Sequence, residues 1–240
     1  MHCVILAAGT SSRLRPLTDS TPKCLLHIGS RSILERTIRA VFHAGLIHFT
    51  VVVGFQDWMI KNFLKRNFPS IDFTFVVNDQ FETSNNAFSL LMAREEIEGH
   101  ELLLLDGDIV FDDELLPLLI TSPHESCLLV RTKGCVGEED VKVEVNDKNE
   151  IVRIGKEIPA ASACGESIGI AKFSRGDTTR LFMTLEKRIR TENRANEFYE
   201  SSFQEMIDGG SRVFAVDAGP YRSIEIDTAE DLYSAESLFS

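Results

Sequence analysis

The stretch HCVILAAGTSSRLRPLTDSTPKCLL, residues 2–26, decides how the rest of the chain is read. It opens on an apolar run of strand length, HCVILAA (2–8). It then passes directly into small, hydroxylated and basic residues that end in Pro22 and Lys23. An apolar strand that runs straight into a glycine-bearing loop suggests a buried parallel strand with a ligand-binding turn at its carboxyl end.

Reading outward, the first 120 residues alternate. SILERTIRAVFHAGL (32–46) has helical apolar spacing and stops at Gly45, and HFTVVVG (48–54) is a strand. QDWMIKNFLKRNF (56–68) is a helix halted by Pro69, DFTFVVN (72–78) a strand, and NAFSLLMAREEI (86–97) a helix with Ser84 or Asn85 before it as N-cap. ELLLLDGDIVF (101–111) reads as one continuous apolar strand carrying acids, and DDELLPLLI opens another helix. This predicts an α/β fold: a Rossmann-like, mostly parallel sheet with helices on both faces. Beyond residue 120 the texture shifts to shorter strands, SCLLVRT (126–132), VKVEVND (141–147), EIVRIGK (150–156) and ESIGIAKFS (166–174), with NDKN (146–149) as a hairpin turn. Helices over 176–190 and 196–208 follow, then RVFAVDA, SIEID (223–227) and a closing helix TAEDLYSAESLF. Thr228 caps that helix and Asp231 completes a near capping box. We expect a small antiparallel annex that walls the far, acceptor side of a cleft. The whole, 1–240, forms one domain with a nucleotide-binding half (1–120) and an acceptor-binding half (121–240).

The bulk numbers restrict function. At 43% hydrophobic and 26% charged the composition is that of an ordinary globular domain. The net charge of −12 disfavours nucleic acid as a partner, because that affinity rests on Lys and Arg against phosphates. No apolar run reaches the ~20 residues of a membrane span, and the first residues lack a signal peptide's basic region and cleavage site. Five cysteines without a CxxC pair suit reduced, buried thiols in a cytoplasmic protein.

A phosphate-bearing partner must therefore meet a local cationic spot, and Arg13, Arg15 and Lys23 make one, opposed only by Asp19. The loop has neither GxxxxGK[ST] nor GxGxxG. AAGTSSR followed by PK still suits polyphosphate: Gly9, Thr10, Ser11 and Ser12 supply donors, and Arg13 and Lys23 supply charge where pyrophosphate leaves. A solvated loop is the alternative. Asp106 and Asp108 flank Gly107 at a strand end, suited to holding Mg²⁺ or to capping the next helix. Asp227 has the same two readings. Two strand-end acids, one from each half, would share a metal across the cleft.

Leu6, Ala7, Ala8, Gly9, Thr10, Ser11, Ser12 and Arg13 with Pro22-Lys23, then Asp106-Gly107-Asp108, then Ile226-Asp227-Thr228, resemble the nucleotidyltransferase superfamily that includes the sugar-1-phosphate pyrophosphorylases. The resemblance spans essentially the whole chain. It implies that a phosphate monoester attacks the α-phosphorus of an NTP with Mg²⁺ as cofactor. Arg13, Lys23 and Lys156 would be catalytic, Asp108 and Asp227 the metal ligands, and residues 6–12 with Asn78, Ser84, Asn85 and Asp106 the nucleotide site. The segment Asn78–Leu90 is similar to the phosphocholine cytidylyltransferase branch, whose members activate phosphocholine, 2-aminoethylphosphonate or inositol phosphate with CTP. Asn85 and Asn86 would present donor and acceptor to cytosine, or else cap a helix. Glu166, Glu197, Tyr199, Glu200 and Tyr221 are the acceptor-site candidates. A quaternary ammonium would use the aromatics and carboxylates, and a polyol would use Ser162, Ser167, Ser201 and Ser202. The partners expected are CTP or another NTP and a small phosphate or phosphonate ester, with a homodimer through the annex. A sugar-1-phosphate nucleotidyltransferase using UTP, dTTP or GTP is the neighbouring alternative. A non-catalytic nucleotide-sensing subunit is the third.

Overall fold

The computed structural model describes residues 1–132 and 136–239, so Cys135 lies outside the described residues. In chain order the elements are β1 (His2–Ala7), β2 (His27–Ile28), β3 (Arg31–Ser32), α1 (Ile33–His43), β4 (Phe49–Val53), α2 (Asp57–Asn67), β5 (Phe73–Val77), α3 (Asn86–Met92), α4 (Arg94–Ile97), β6 (Leu102–Asp106), β7 (Ile109–Phe111) and α5 (Leu115–Ile120). The second half adds β8 (Cys127–Arg131), β9 (Lys142–Val145), β10 (Ile151–Gly155), β11 (Gly165–Phe173), α6 (Arg175–Glu186), α7 (Glu200–Asp208), β12 (Phe214–Asp217), β13 (Ser223–Glu225) and α8 (Ala229–Phe239).

The central sheet runs β10-β9-β11-β6-β1-β4-β5, with β8 also on β11 and β12 on β8. Strands β6, β1, β4 and β5 are parallel, and β11 and the β9–β10 hairpin are antiparallel. Side chains alternate across a strand, so each buried strand feeds two cores. Val4, Leu6, Leu102 and Leu104 pack with α3, α6 and α7 (Leu90, Leu181, Phe203), whereas Cys3, Ile5, Leu103 and Leu105 pack with α1, α2 and α5 (Leu34, Ile60, Leu115). This is the mostly parallel sheet with helices on both faces and an antiparallel annex that the sequence predicts. Cys3, Cys24 and Cys127 are buried and form no disulfide. Among the described residues no helix is long and apolar enough to cross a membrane.

Two departures from the sequence reading shape the cleft. First, residues 101–111 do not form one strand. The chain breaks at Gly107-Asp108, and β7 leaves the main sheet to pair with β13 in the register Ile109↔Glu225. Glycine is required at the break: the Gly107 N–H donates to the Leu6 carbonyl at 2.9 Å, and a Cβ there would lie 2.5 Å from that oxygen. Second, β11 changes partners along its length. Residues 170–173 pair with β6, while Gly165 and Glu166 pair with β9. Gly169 sits at the change with φ +70°, and a Cβ there would meet the Asp106 carboxylate at 2.6 Å. The β9–β10 hairpin is thereby carried past the carboxyl end of β6. The helix predicted over 196–208 starts at Glu200, leaving Phe198 and Tyr199 before its first turn.

Candidate active site

A cleft of about 340 Å³ opens at the carboxyl ends of β1 and β6, where parallel sheets bind ligands. It is lined by every residue from Leu6 to Arg13, by Pro22, Lys23 and Asn78, by Ser84, Asn85 and Asn86, and by Asp106, Asp108, Glu225 and Asp227. The loop is held by anchors beside its charged residues. Leu14, next to Arg13, is buried against α8, and Cys24, next to Lys23, is buried under the sheet. Thr18 Oγ1 donates to the Ser11 carbonyl at 2.8 Å. Apolar anchoring of this kind orients a cation without consuming its charge.

Lys23 Nζ lies 2.8 Å from Asp108 Oδ2 and 2.8 Å from Asp227 Oδ1, and an Arg13 Nη donates to Asp227 Oδ2 at 2.6 Å. The four residues therefore share one hollow. The pairing of β7 with β13 explains how: the Ile226 N–H donates to the Asp108 carbonyl at 3.0 Å, which brings the two distant segments side by side. It also delivers Glu225, which the sequence reading missed. Asp108, Glu225 and Asp227 each offer a carboxylate oxygen within 4.8 Å of the others. The only prior signal for Glu225 was its place in the apolar-then-acid pattern SIEID. Asp227 is not the cap of α8. Its side chain goes to Lys23 and Arg13, while Asp231 N–H donates to Thr228 Oγ1 (3.2 Å) and Thr228 N–H to Asp231 Oδ2 (2.7 Å) as a capping box.

The electrostatics follow from this crowding. Burial alone would lower the Lys23 ammonium, but Asp108 and Asp227 outweigh it and hold the group above its ordinary value. Burial likewise pushes Asp227 up, and Lys23 and Arg13 reverse the direction and keep it low. Glu225 is lifted to about 7 by lost hydration and by Asp108 and Asp227. Asp108 Oδ1 is buried with no hydrogen-bond partner. A cluster of hard oxygen donors with one buried oxygen unsatisfied fits a divalent cation of the Mg²⁺ type, with Asp108, Glu225 and Asp227 as its holders.

Other residues singled out from the sequence fall into three groups. Some line the cleft but spend their side chains inside the protein. Asn78 is buried, donates to Ser84 Oγ (3.1 Å) and Ser89 Oγ (3.0 Å), and accepts from the Gln80 N–H (2.9 Å). Asn85 caps α3 by accepting from the Asn86 N–H (2.8 Å) and donates to the Asn196 carbonyl (3.3 Å). Asn86 Oδ1 accepts from the Tyr199 N–H at 2.9 Å. The two asparagines thus hold the loop and α3 in place, the capping alternative for Asn85, while both line the cleft. Asp106 accepts from the Tyr199 hydroxyl at 2.6 Å, and burial with Asp108 and Glu200 nearby drives its carboxyl well up.

The second group lines an adjoining cavity of about 390 Å³ that includes Lys156, Phe198 and Glu200, with Phe198 shared between the two hollows. Lys156 Nζ sits 4.7 Å above the Phe198 ring. The third group lines neither hollow, contrary to the acceptor-site expectation. Glu166 faces Arg131 (3.8 Å), and burial beside Asp140 lifts it to about 7. Glu197 is taken by Arg188 and Arg194. Tyr199 is core, its ring 4.9 Å from that of Phe203. Tyr221 packs under the sheet on the α1 side.

An open α/β sheet with a cationic turn and converging carboxylates at its carboxyl edge is the architecture of a nucleotidyltransferase. The chain belongs to the MobA-like NTP transferase domain family, whose model matches residues 3–139. It is 30% identical over 181 residues to the 2-aminoethylphosphonate cytidylyltransferase of Lancefieldella rimae, covering 75% of this chain and 70% of that one. It is 26% identical over 251 residues to the CTP:phosphoglutamine cytidylyltransferase of Campylobacter jejuni, covering 97% and 98%. The solved CTP:phosphocholine cytidylyltransferase of Streptococcus pneumoniae has the same fold, with a TM-score of 0.78, 19% identity, and coverage of 100% and 99%.

Proposed function

We propose that this nucleotidyltransferase uses CTP and a small phosphorylated alcohol or phosphonate, releasing pyrophosphate, with Mg²⁺ held by Asp108, Glu225 and Asp227. The observation that carries the reading is the meeting of those three carboxylates with Lys23 and Arg13 in the cleft of the Leu6–Arg13 turn. An acceptor oxygen bonds to the α-phosphorus of CTP, and the bond from that phosphorus to the bridging oxygen of the β-phosphate breaks. Lys23 and Arg13 face the charge that develops on the phosphates. The turn's backbone follows the triphosphate, and Lys156 attracts the acceptor's anionic group from the adjoining cavity. Mg²⁺ supplies charge neutralisation of the phosphates when bound. The preference for CTP is supported by the cytidylyltransferases among the relatives.

Pyrophosphate release measured across CTP, UTP, GTP, ATP and dTTP with a panel of phosphate monoesters and phosphonates tests this. Turnover with CTP and a non-sugar acceptor is expected. Turnover confined to UTP, dTTP or GTP with hexose 1-phosphates refutes it in favour of a sugar-1-phosphate enzyme.

A further inference from the structure

Phe198 lines both hollows and is 43% exposed, yet the chain on either side of it is fixed. Before it, the Ala195 carbonyl accepts from the Asn85 N–H (2.9 Å), the Asn196 carbonyl accepts from Asn85 Nδ2 (3.3 Å), and Glu197 pairs with Arg188 and Arg194. After it, the Tyr199 N–H donates to Asn86 Oδ1 (2.9 Å) and the Tyr199 hydroxyl to Asp106 (2.6 Å). The ring is therefore held at a set place on the border of the two hollows, with Lys156 Nζ 4.7 Å above its centroid. Lys156 also faces Glu139, whose Oε2 lies 3.6 Å away on a side chain 85% exposed. Its ammonium is thus shared between a ring on a fixed mount and an exposed carboxylate.

We propose that Phe198 is a positioning residue: its ring holds the Lys156 ammonium at the border of the cleft and the adjoining cavity, against the pull of Glu139, so that the charge meets the acceptor's anionic group. This inference rests on the transferase reading above and on the place that reading gives Lys156. A ring quadrupole attracts an ammonium without cancelling its charge, whereas a carboxylate competes with an incoming phosphate. The charge of Lys156 acts on Glu225 and Asp227 of the cleft and on Glu200 of the cavity, as a position between the two requires. The exposed pair with Glu139 is the weaker hold, because water and salt screen it. The mount also joins the two halves of the chain. Asn85 and Asn86 line the cleft, and the same two residues fix the loop that carries the ring.

The test follows the Lys156 side chain by NMR in the full chain carrying isotopically labelled lysine, with its Hε resonance assigned through Lys156→Arg and titrated with inorganic phosphate. Pyrophosphate release from CTP with the panel of acceptors is measured in parallel. An ammonium held over the ring face has its Hε resonance shifted upfield in wild type, and Phe198→Leu should remove that shift. A cation on an aromatic face is worth roughly two- to thirtyfold in an equilibrium, so Phe198→Leu should weaken phosphate binding at Lys156 by about fivefold, and Phe198→Tyr should retain it. Glu139→Gln added to Phe198→Leu should recover most of that loss, while Glu139→Gln alone changes the wild-type affinity by less than about twofold. An unshifted Lys156 resonance in wild type overturns the proposal. So does a Phe198→Leu loss that Glu139→Gln leaves untouched, the mark of a structural role. The wild-type resonance decides alone if Phe198→Leu folds poorly. A ring-shifted, phosphate-responsive Lys156 without turnover on CTP leaves this inference standing and removes the CTP reading. Turnover on CTP with a Lys156 that ignores phosphate does the reverse.

Discussion

Replacing Lys23 with Met removes the one ammonium that lies 2.8 Å from both Asp108 and Asp227. Three carboxylates within 4.8 Å of one another are then left with Arg13 as their nearest cation. At ~4 Å and an effective dielectric near 20, each lost pair is worth about 4 kcal/mol gross. Desolvation has already cancelled most of that, and stranding a buried partner typically costs about 3–5 kcal/mol. The two aspartates keep about a quarter of their side-chain surface in water (24% and 26%), so part of the loss is recovered. We expect about 2–3 kcal/mol, or roughly 5–10 °C in Tm for a chain of this size. Asp227 is held low in the folded state, so its contribution is present above its unfolded value and lost as pH falls through the acid range. The gap between wild type and Lys23→Met should therefore be full at pH 7 and close in acid. A divalent cation that binds only the folded form stabilises by about 2.7 kcal/mol at a hundred times its Kd. Thermal unfolding in chelator and across a Mg²⁺ titration reads all of this: the variant melts low in chelator and regains more than wild type as Mg²⁺ rises. Turnover falls ~10²–10³-fold with stability restored, since a preorganised charge at the phosphates is gone. Equal melting temperatures in chelator would refute the reasoning.

Two further outcomes are expected. Lys142 is buried and donates to the carbonyls of Glu138 (2.8 Å), Asp140 (3.1 Å) and Lys156 (2.8 Å), so Lys142→Met should raise the acceptor KM while leaving the CTP KM near its original value in steady-state kinetics. Burial pushes the Glu200 carboxyl from its ordinary 4.5 up to about 7, so its ionisation opposes folding progressively from about pH 4.5 to 7. The stability of Glu200→Gln minus that of wild type, from denaturant unfolding without acceptor, should rise by about 2–3 kcal/mol across that window and then level off.

The parts of this site that could be read from the chain are those whose signal is local. Continuous apolar runs mark β1, β4 and β6 as doubly covered strands, and the small, hydroxylated and basic residues after β1 mark the turn that lines the cleft. Arg13, Lys23, Asp108 and Asp227 were legible as types at strand ends, and the fold brings them together. Long-range pairing was not legible. Nothing in ELLLLDGDIVF shows that the chain leaves the sheet after Gly107, because the partner that takes up β7 is β13, more than a hundred residues away. Glu225 joins the cluster only through the β7–β13 register. The amides of Asn78 and Asn85 look free in a sequence, yet each is consumed in shaping the loop it belongs to. Glu197 lines neither hollow: Arg188, from the helical segment after α6, and Arg194 claim it, and the first of these pairings is visible only once the chain is folded.

The most direct test is the anomalous density of Mn²⁺ in crystals of the full chain grown with a non-hydrolysable CTP analogue. One peak about 2.1 Å from carboxylate oxygens of Asp108 and Asp227, beside the analogue's phosphates, is the predicted result. A peak on other residues, or nucleotide bound away from the Leu6–Arg13 turn with no ion near these acids, would contradict it.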